Sequence, residues 1–151
     1  PSFRKPIRTH RCLVIASGFY EWQHRSDRKI PYFIYLKDQK MFSLAGLYDA
    51  WINNATGELN HTFSIITTQA NPMMEVIHNS KKRMPVILDP MDESQWLDHT
   101  LPMSEVVKLL QPYPDDRMAA HTIPPLISKK GVPKNTPELI RPYDYSDTRL
   151  F

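Results

Sequence analysis

The sequence predicts an α+β domain with a β-rich core, a mixed or antiparallel sheet accompanied by a few short helices. Apolar and aromatic runs of strand type come first along the chain, at 11–22, 32–36 and 41–51. Apolar residues at helical spacing come later, at 72–78, 90–97 and 104–110. Because strands and helices are grouped rather than regularly alternated, the order does not favour a parallel βαβ fold.

Turn residues divide the predicted strands. Ser17 and Gly18 interrupt the first apolar run and predict a bulge or a bend. The segment 53–57 has the composition of a hairpin loop, and residues 61–68 alternate as a strand with two different faces does. Further strands are predicted at 83–89 and 119–123, and at Leu139 and Ile140, which we expect to close the sheet.

Helix starts are indicated by capping residues. Asn71 and Pro72 suit the N-cap and the first position of a helix that ends near His78. Ser104 is the predicted N-cap of the last helix. The segment 143–151 has little core-forming pattern, so we predict a single domain over residues 1–151 with a C-terminal tail.

Composition narrows the function classes. The chain has 151 residues, 41% hydrophobic and 23% charged, which fits one globular domain. No apolar run is long enough to span a membrane, and no secretory signal is visible. The single cysteine, Cys12, excludes an internal disulfide and fits a reducing, cytoplasmic compartment. There is no zinc-type Cys/His spacing, so we predict no metal site. We also expect no cofactor and a monomer.

Basic residues form clusters although the formal net charge is only +3. Such clusters either form a solvated surface or bind phosphates, and the sequence leaves both open. The clusters are Arg4 to Arg11, Arg25 to Lys29, Lys81 to Arg83 and Lys129 to Lys134.

Two residues are candidates for acid/base chemistry. Glu21 lies between Tyr20 and Trp22, so if the two rings face the core, the carboxylate faces a cleft or solvent. It is either an exposed strand carboxylate or a partly desolvated proton donor. His78 is either a histidine stabilised by the dipole at a helix C-terminus or a proton shuttle. Cys12, inside an apolar run, is predicted to be a buried and inert strand residue.

Several motifs in order make the chain resemble the SRAP family (SOS-response-associated peptidases, the abasic-site processing proteins). The family string R-C-L-x-P-A-x-G-F-Y-E-W is matched by Arg11–Trp22, and P-Y-F-I by Pro31–Ile34. A-G-L followed by an aromatic and a tryptophan is matched at Ala45–Trp51. The motifs I-x-T-T-x-A-N and I-H-x-R-M-P-V-I-L are matched by Ile65–Asn71, and by Ile77 and His78 with Arg83–Leu88.

The resemblance implies a sensor of abasic sites in single-stranded DNA, active in the SOS response and DNA repair. A cysteine made N-terminal by peptidase-like removal of the initiator methionine attacks the open sugar aldehyde. Its amine and thiol then form a thiazolidine, a stable DNA–protein crosslink. The resemblance implies acid/base roles for Glu21 and His78 and DNA contacts for Thr67 and Arg83.

The chain departs from the family pattern in two places. The family usually has one residue between the histidine and R-M-P, whereas Asn79–Lys82 intervene here. The family also begins Met-Cys-Gly-Arg, and Pro1 and Ser2 do not match this start. We therefore expect an SRAP domain that is incomplete at its N-terminus, with an uncovered apolar face beside Glu21 and His78. The alternatives are a non-catalytic single-stranded nucleic-acid-binding remnant and a hydrolase that uses Glu21 and His78 without cysteine.

Overall fold

The computed structural model describes residues 3–146, so residues 147–151 of the predicted tail lie outside the described residues. The chain forms two compact units. Of the described residues, unit 1 comprises 3–16, 41–69 and 84–113, and unit 2 comprises 17–40, 70–83 and 114–146. Antiparallel sheets with a few short helices confirm the predicted α+β class.

The helices are α1 (Pro6–Thr9), α2 (Pro72–Ile77), α3 (Pro90–Leu97) and α4 (Met103–Lys108). The strands are β1 (Arg11–Ala16), β2 (Phe19–His24), β3 (Lys29–Leu36), β4 (Phe42–Ile52), β5 (Leu59–Ile65), β6 (Thr67–Gln69), β7 (Arg83–Pro85), β8 (Ile87–Leu88) and β9 (Met118–Thr122). Short 3₁₀ helices cover Asp115–Arg117, Pro125–Ser128 and Pro137–Ile140.

Unit 1 is built around the long strand β4. It pairs antiparallel with β1 and with β5, and its first residues also pair with β8. One face of this sheet packs against α3 and α4, because Trp96 and Val106 are fully buried there with Ala45 and Leu47. On the other face, Gly46 lies opposite Cys12. A Cβ on residue 46 would lie only 2.8 Å from the Cys12 sulfur, so a larger residue would not fit without a shift.

Unit 2 is a three-stranded antiparallel sheet in the order β2–β3–β9, with α2 packed beside β2. Directly opposite residues share a face, so Glu21 lies on the same face as Tyr32 and the buried Ile34. Gly18 lets the bend before β2 approach β3 closely, since a Cβ there would lie 2.7 Å from the Ile34 carbonyl oxygen.

Three local predictions need correction. The apolar run 11–22 is not one strand with a bulge, since it breaks at residues 17 and 18 into β1 of unit 1 and β2 of unit 2. Ser104 is not an N-cap, because α4 begins at Met103 and Pro102 occupies the N-cap position. Leu139 and Ile140 do not close the sheet, because Pro137 starts a 3₁₀ helix instead.

An apolar face of β4 and β5 is exposed in the described chain. Tyr48 pairs directly with Phe63, and Ile52 with Leu59, so the four side chains lie on one face of the hairpin. Phe63 is 64% exposed and Ile52 60% exposed. Among residues 3–146, no helix has the length and apolarity needed to cross a bilayer.

Candidate active site

Glu21 lies in the middle of β2, on the face that packs against α2. Its neighbours Tyr20 and Trp22 point to the opposite face of the sheet, as the strand alternation predicted. That opposite face is not the core, however, because the buried Ile30 and Ile34 lie on the same face as Glu21. The Glu21 carboxylate therefore lies at the edge of the contact between β2 and α2, and the Glu21 side chain is 23% exposed.

His78 is placed by α2. The Asn71 side chain caps the helix by accepting a hydrogen bond from the Met74 amide at 2.9 Å, which confirms the predicted N-cap. At the other end, His78 is the C-cap residue, and its amide donates to the Met74 carbonyl at 2.7 Å. Met74 and Ile77 are buried, so the helix is fixed by its apolar side and His78 emerges at its end.

The structure brings the two candidate acid/base side chains together. The His78 Nδ1 atom lies 3.4 Å from Glu21 Oε1 and 2.8 Å from the carbonyl oxygen of Arg83. A carbonyl oxygen only accepts, so Nδ1 must carry the hydrogen in this contact. In the neutral imidazole, Nε2 is then the nitrogen with a lone pair for proton transfer.

The residues inserted relative to the family pattern form a tight loop that returns the chain to His78. The Lys82 amide donates to the His78 carbonyl at 2.8 Å, and Lys82 adopts the left-handed conformation at φ 50°. Next, the Lys82 carbonyl accepts from the Ala70 amide at 3.1 Å. The longer loop therefore still presents the Arg83 carbonyl to the His78 ring.

Sequence reasoning missed two residues that hold α2 and this loop against β2. The Asn79 side chain accepts a hydrogen bond from the His24 amide at 3.0 Å and donates one to the His24 carbonyl at 2.8 Å. It thus pairs with the backbone of β2 as the backbone of a neighbouring strand would. The Gln23 amide group donates to the Val76 carbonyl at 3.1 Å. No local pattern reveals these contacts, although an amide side chain next to a candidate histidine is a signal worth noting.

The two predicted DNA contacts lie in different units. Arg83 begins β7 and is an exposed residue at the end of the loop, with its backbone directed to His78. Thr67 is the exposed first residue of β6 in unit 1, and the neighbouring Thr68 hydroxyl donates to the Leu110 carbonyl at 2.9 Å. The structure thus groups Glu21, His78 and Arg83 within unit 2, whereas Thr67 belongs to unit 1.

Cys12 is partly buried rather than fully buried, which corrects the prediction of a buried residue. Burial raises the pKa of its thiol, so it is less ionised than a free cysteine at neutral pH. Within residues 3–146, no three His, Cys, Asp or Glu side chains are grouped as a metal site would require.

Comparison with known proteins identifies the family. The sequence matches the family described as SOS response associated peptidase (SRAP) over residues 1–130. The chain belongs to the SRAP family. The resemblance seen in the motifs is thereby confirmed.

Similar curated proteins carry names that refer to abasic sites. The abasic site processing protein YoqW of Bacillus subtilis (strain 168) is 44% identical over 144 residues, which cover 93% of this chain and 61% of YoqW. The abasic site processing protein HMCES of Gallus gallus is 34% identical over 165 residues, covering 95% of this chain and 47% of HMCES. This SRAP chain therefore spans at most about three fifths of the length of these relatives.

Solved structures share the fold. A crystal structure of a protein from Bacteroides thetaiotaomicron superposes with a TM-score of 0.88 at 42% identity, covering 95% of this chain and 61% of that one. A crystal structure of a protein from Bordetella bronchiseptica gives a TM-score of 0.71 at 31% identity, covering 81% and 59%.

Proposed function

We propose that the protein containing this SRAP chain binds single-stranded DNA at abasic sites and crosslinks itself to them through a thiazolidine. The observation that carries the proposal is the contact of His78 Nδ1 with Glu21 Oε1 and with the Arg83 carbonyl. It brings Glu21 together with His78 and Arg83, two residues of a motif that lies much later in the sequence. The names of the relatives YoqW and HMCES, both abasic site processing proteins, support an abasic site as the substrate.

The residue types suit the steps of this reaction. An abasic sugar is mostly a cyclic hemiacetal, and opening it to the aldehyde moves a proton from the anomeric hydroxyl to the ring oxygen as the ring C–O bond breaks, a transfer that the Glu21 carboxyl group would relay. An N-terminal amine then adds to the aldehyde carbon. His78 Nε2 would carry a proton from that amine to the new hydroxyl, so that water leaves and an imine forms. Addition of the thiol sulfur to the imine carbon, with the thiol proton passing to the imine nitrogen, closes the thiazolidine.

The resemblance assigns the nucleophile to an N-terminal cysteine and not to Cys12. The environment of Cys12 supports this assignment, because burial raises the pKa of its thiol. Removal of an initiator methionine, as the family name implies, would expose the amine and the thiol together. Arg83 and Thr67 would each contact a phosphate of the DNA strand.

The test uses the protein expressed from its native reading frame, including whatever residues precede Pro1. Single-stranded DNA with one abasic site is mixed with the protein, and crosslinked product is followed on a denaturing gel. We expect Glu21→Gln and His78→Asn each to slow crosslinking by about 10²-fold or more, the range for lost general acid/base groups. The matched controls are Glu105→Gln and His61→Asn, which change a half-buried and an exposed residue of unit 1.

DNA binding is measured separately with a tetrahydrofuran site, which has no aldehyde to react. Arg83→Ala is expected to weaken binding by about 1–3 kcal/mol, since one charge-assisted phosphate contact is lost. It should also reduce the salt dependence by about one phosphate. Crosslinking that proceeds at the wild-type rate in both Glu21→Gln and His78→Asn would remove these residues from the chemistry.

A second candidate function is binding of single-stranded nucleic acid without chemistry. It is favoured by three consecutive exposed basic residues, Lys81, Lys82 and Arg83, which could bind phosphates without any nucleophile. In this case the tetrahydrofuran-containing strand is bound, but no crosslinked band forms with the abasic strand. Thus the same two assays separate the two functions.

A further inference from the structure

Unit 2 carries a row of aromatic rings on the face of its sheet that is opposite to Glu21. Tyr20 and His121 lie directly across from Phe33 on the two neighbouring strands, and Tyr35 follows Phe33 on the same face of β3. Ring centroids are 5.7 Å apart for Tyr20 and Phe33, and 5.9 Å apart for the stacked pair Phe33 and Tyr35. We call these four residues the ring row.

His121 connects the ring row to a later segment of the chain. The ring of His121 lies 5.8 Å from Phe33 and 5.7 Å from Tyr35. Its Nε2 lies 2.8 Å from the Ile140 carbonyl, so this nitrogen carries the hydrogen and the 3₁₀ helix at 137–140 is tied to the sheet. Cross-strand aromatic pairs also stabilise a sheet, so the rings alone do not make a site.

The second observation is a cavity that opens on two of these rings. It has a volume of about 490 Å³, within the usual range of roughly 300–1,000 Å³ for sites that take small ligands. Phe33 and Tyr35 line it together with Ile140, and residues 37–40 of the turn between β3 and β4 form its polar rim. Neither the acid/base pair nor Arg83 is among its lining residues.

The rim offers groups of both charges beside the rings. Lys40 is exposed, and the Lys37 ammonium donates to the Asp116 carbonyl at 2.6 Å, which holds one cation in place. Asp38 and Gln39 add a carboxylate that accepts hydrogen bonds and an amide that both accepts and donates them. An aromatic surface, a cation for a phosphate and acceptors for amino or imino groups together match a nucleotide.

We propose that this cavity, the ring pocket, binds one nucleotide, with its base against Tyr35 and its phosphate near Lys40. The proposal rests on the proposed function, since it makes the ring pocket a second contact for the bound DNA strand, away from the abasic sugar. A free nucleotide has the same chemistry, so the experiment distinguishes the two sources.

The experiment measures binding of a fluorescent oligodeoxythymidine with a central tetrahydrofuran site to the whole chain. Tyr35→Leu is expected to weaken binding roughly tenfold, as loss of one base–aromatic stack does, and Tyr35→Phe to keep it. Lys40→Gln should lower the slope of log affinity against log salt by about 0.7, the value for one phosphate on a single strand. The control Lys108→Gln changes an exposed lysine of α4 and should leave the slope unchanged.

A second arm uses dTMP alone, titrated into the protein and followed by amide NMR shifts of residues 33–40. Chemical-shift changes at residues 33–40 that are absent in Tyr35→Leu support the ring pocket. This result does not depend on DNA binding. A crosslink from a 5-iodouracil-containing strand, mapped by mass spectrometry to residues 33–40, gives the same support without any substitution.

The outcomes separate the two proposals. If the oligonucleotide binds the wild type and Tyr35→Leu equally while Arg83→Ala loses it, the ring pocket is wrong and the proposed function stands. If dTMP shifts residues 33–40 but no oligonucleotide binds, the pocket takes a free nucleotide and the proposed function is wrong. If the wild type binds neither probe, both proposals are wrong. Loss of binding in both Tyr35→Leu and Tyr35→Phe would contradict base stacking.

Discussion

Cys12 shows at the residue scale how packing decides what a side chain does. Its sulfur faces Gly46 across the β1–β4 pair, so closely that a Cβ on residue 46 would lie 2.8 Å away. Burial raises the pKa of the thiol. The folded chain therefore keeps this proton to a higher pH than the unfolded chain does.

We predict that Cys12 reacts with iodoacetamide at least about threefold more slowly than glutathione does at pH 8, because less thiolate is present. The free energy of unfolding should also fall as pH rises above about 8.5, the unfolded thiol pKa, and stop falling above the folded pKa. Cys12→Ala should remove this part of the pH dependence, measured by urea unfolding between pH 7 and 10. Alkylation as fast as that of glutathione would contradict the burial argument.

Arg11 is a second residue whose role is set by its contacts. It is buried, and its guanidinium donates to the carbonyls of Trp96 and Asp98, both at 2.5 Å, and to that of Ile7 at 2.7 Å. Burial lowers the pKa of the guanidinium, and the nearby Asp98 carboxylate partly opposes this shift. The basic cluster Arg4 to Arg11 therefore contains one structural cation, which joins β1 to α1 and α3.

We predict that Arg11→Lys destabilises the protein by about 2–3 kcal/mol, because one ammonium group cannot reach all three carbonyls. Arg8→Lys is the matched control, since Arg8 is exposed and its replacement should change stability by less than about 0.5 kcal/mol. Chemical unfolding of the two variants measures the difference. Equal unfolding midpoints would show that the carbonyl contacts contribute nothing beyond burial.

At the element scale, the loop after α2 positions His78. The Asn79 side chain makes two hydrogen bonds to the His24 backbone at the end of β2, at 3.0 and 2.8 Å. The loop is thereby fixed although it is longer than the family pattern. Since Glu21 lies on the same strand, the contact also fixes the distance between the two candidate acid/base side chains.

We predict that Asn79→Ala weakens this link, with a loss of stability of about 1–2 kcal/mol and faster hydrogen exchange at the His24 amide. Asn79→Asp keeps the acceptor for that amide but loses the donor to the His24 carbonyl, so its effect on exchange should be smaller. Amide exchange followed by NMR measures both. Unchanged exchange in Asn79→Ala would mean that the loop holds itself in place.

The elements that could be predicted from the sequence are those that depend on neighbouring residues. Asn71 and Pro72 start α2 as expected, because a cap and its helix are a local unit. The sequence also indicates the break at Gly18. It does not indicate that β1 and β2 join different sheets, because this depends on pairing partners that are distant in sequence. The contact of Glu21 with His78 was likewise invisible to periodicity, and only the family motifs suggested that the two belong together.

At the scale of the whole molecule, the exposed face of the β4–β5 hairpin stands out. Tyr48, Ile52, Leu59 and Phe63 lie on one face and are between 43% and 64% exposed. In the described chain, β5 also lies at the end of the strand order β1–β4–β5. Contiguous apolar surface of this kind, at the end of a sheet, favours association with other apolar groups.

We predict that the 151-residue chain binds the dye ANS while folded and self-associates as its concentration rises. Phe63→Ser should lower ANS fluorescence and self-association with little change in thermal stability, because the ring is already 64% exposed and contributes little buried area. Leu47→Ser, on the buried face of the same sheet, is the matched control and should lower the melting temperature strongly. ANS titration, sedimentation velocity and thermal unfolding measure the three effects. A folded wild-type chain that neither binds ANS nor associates would show that this face is covered in solution, and Phe63→Ser would then destabilise the protein as a core substitution does.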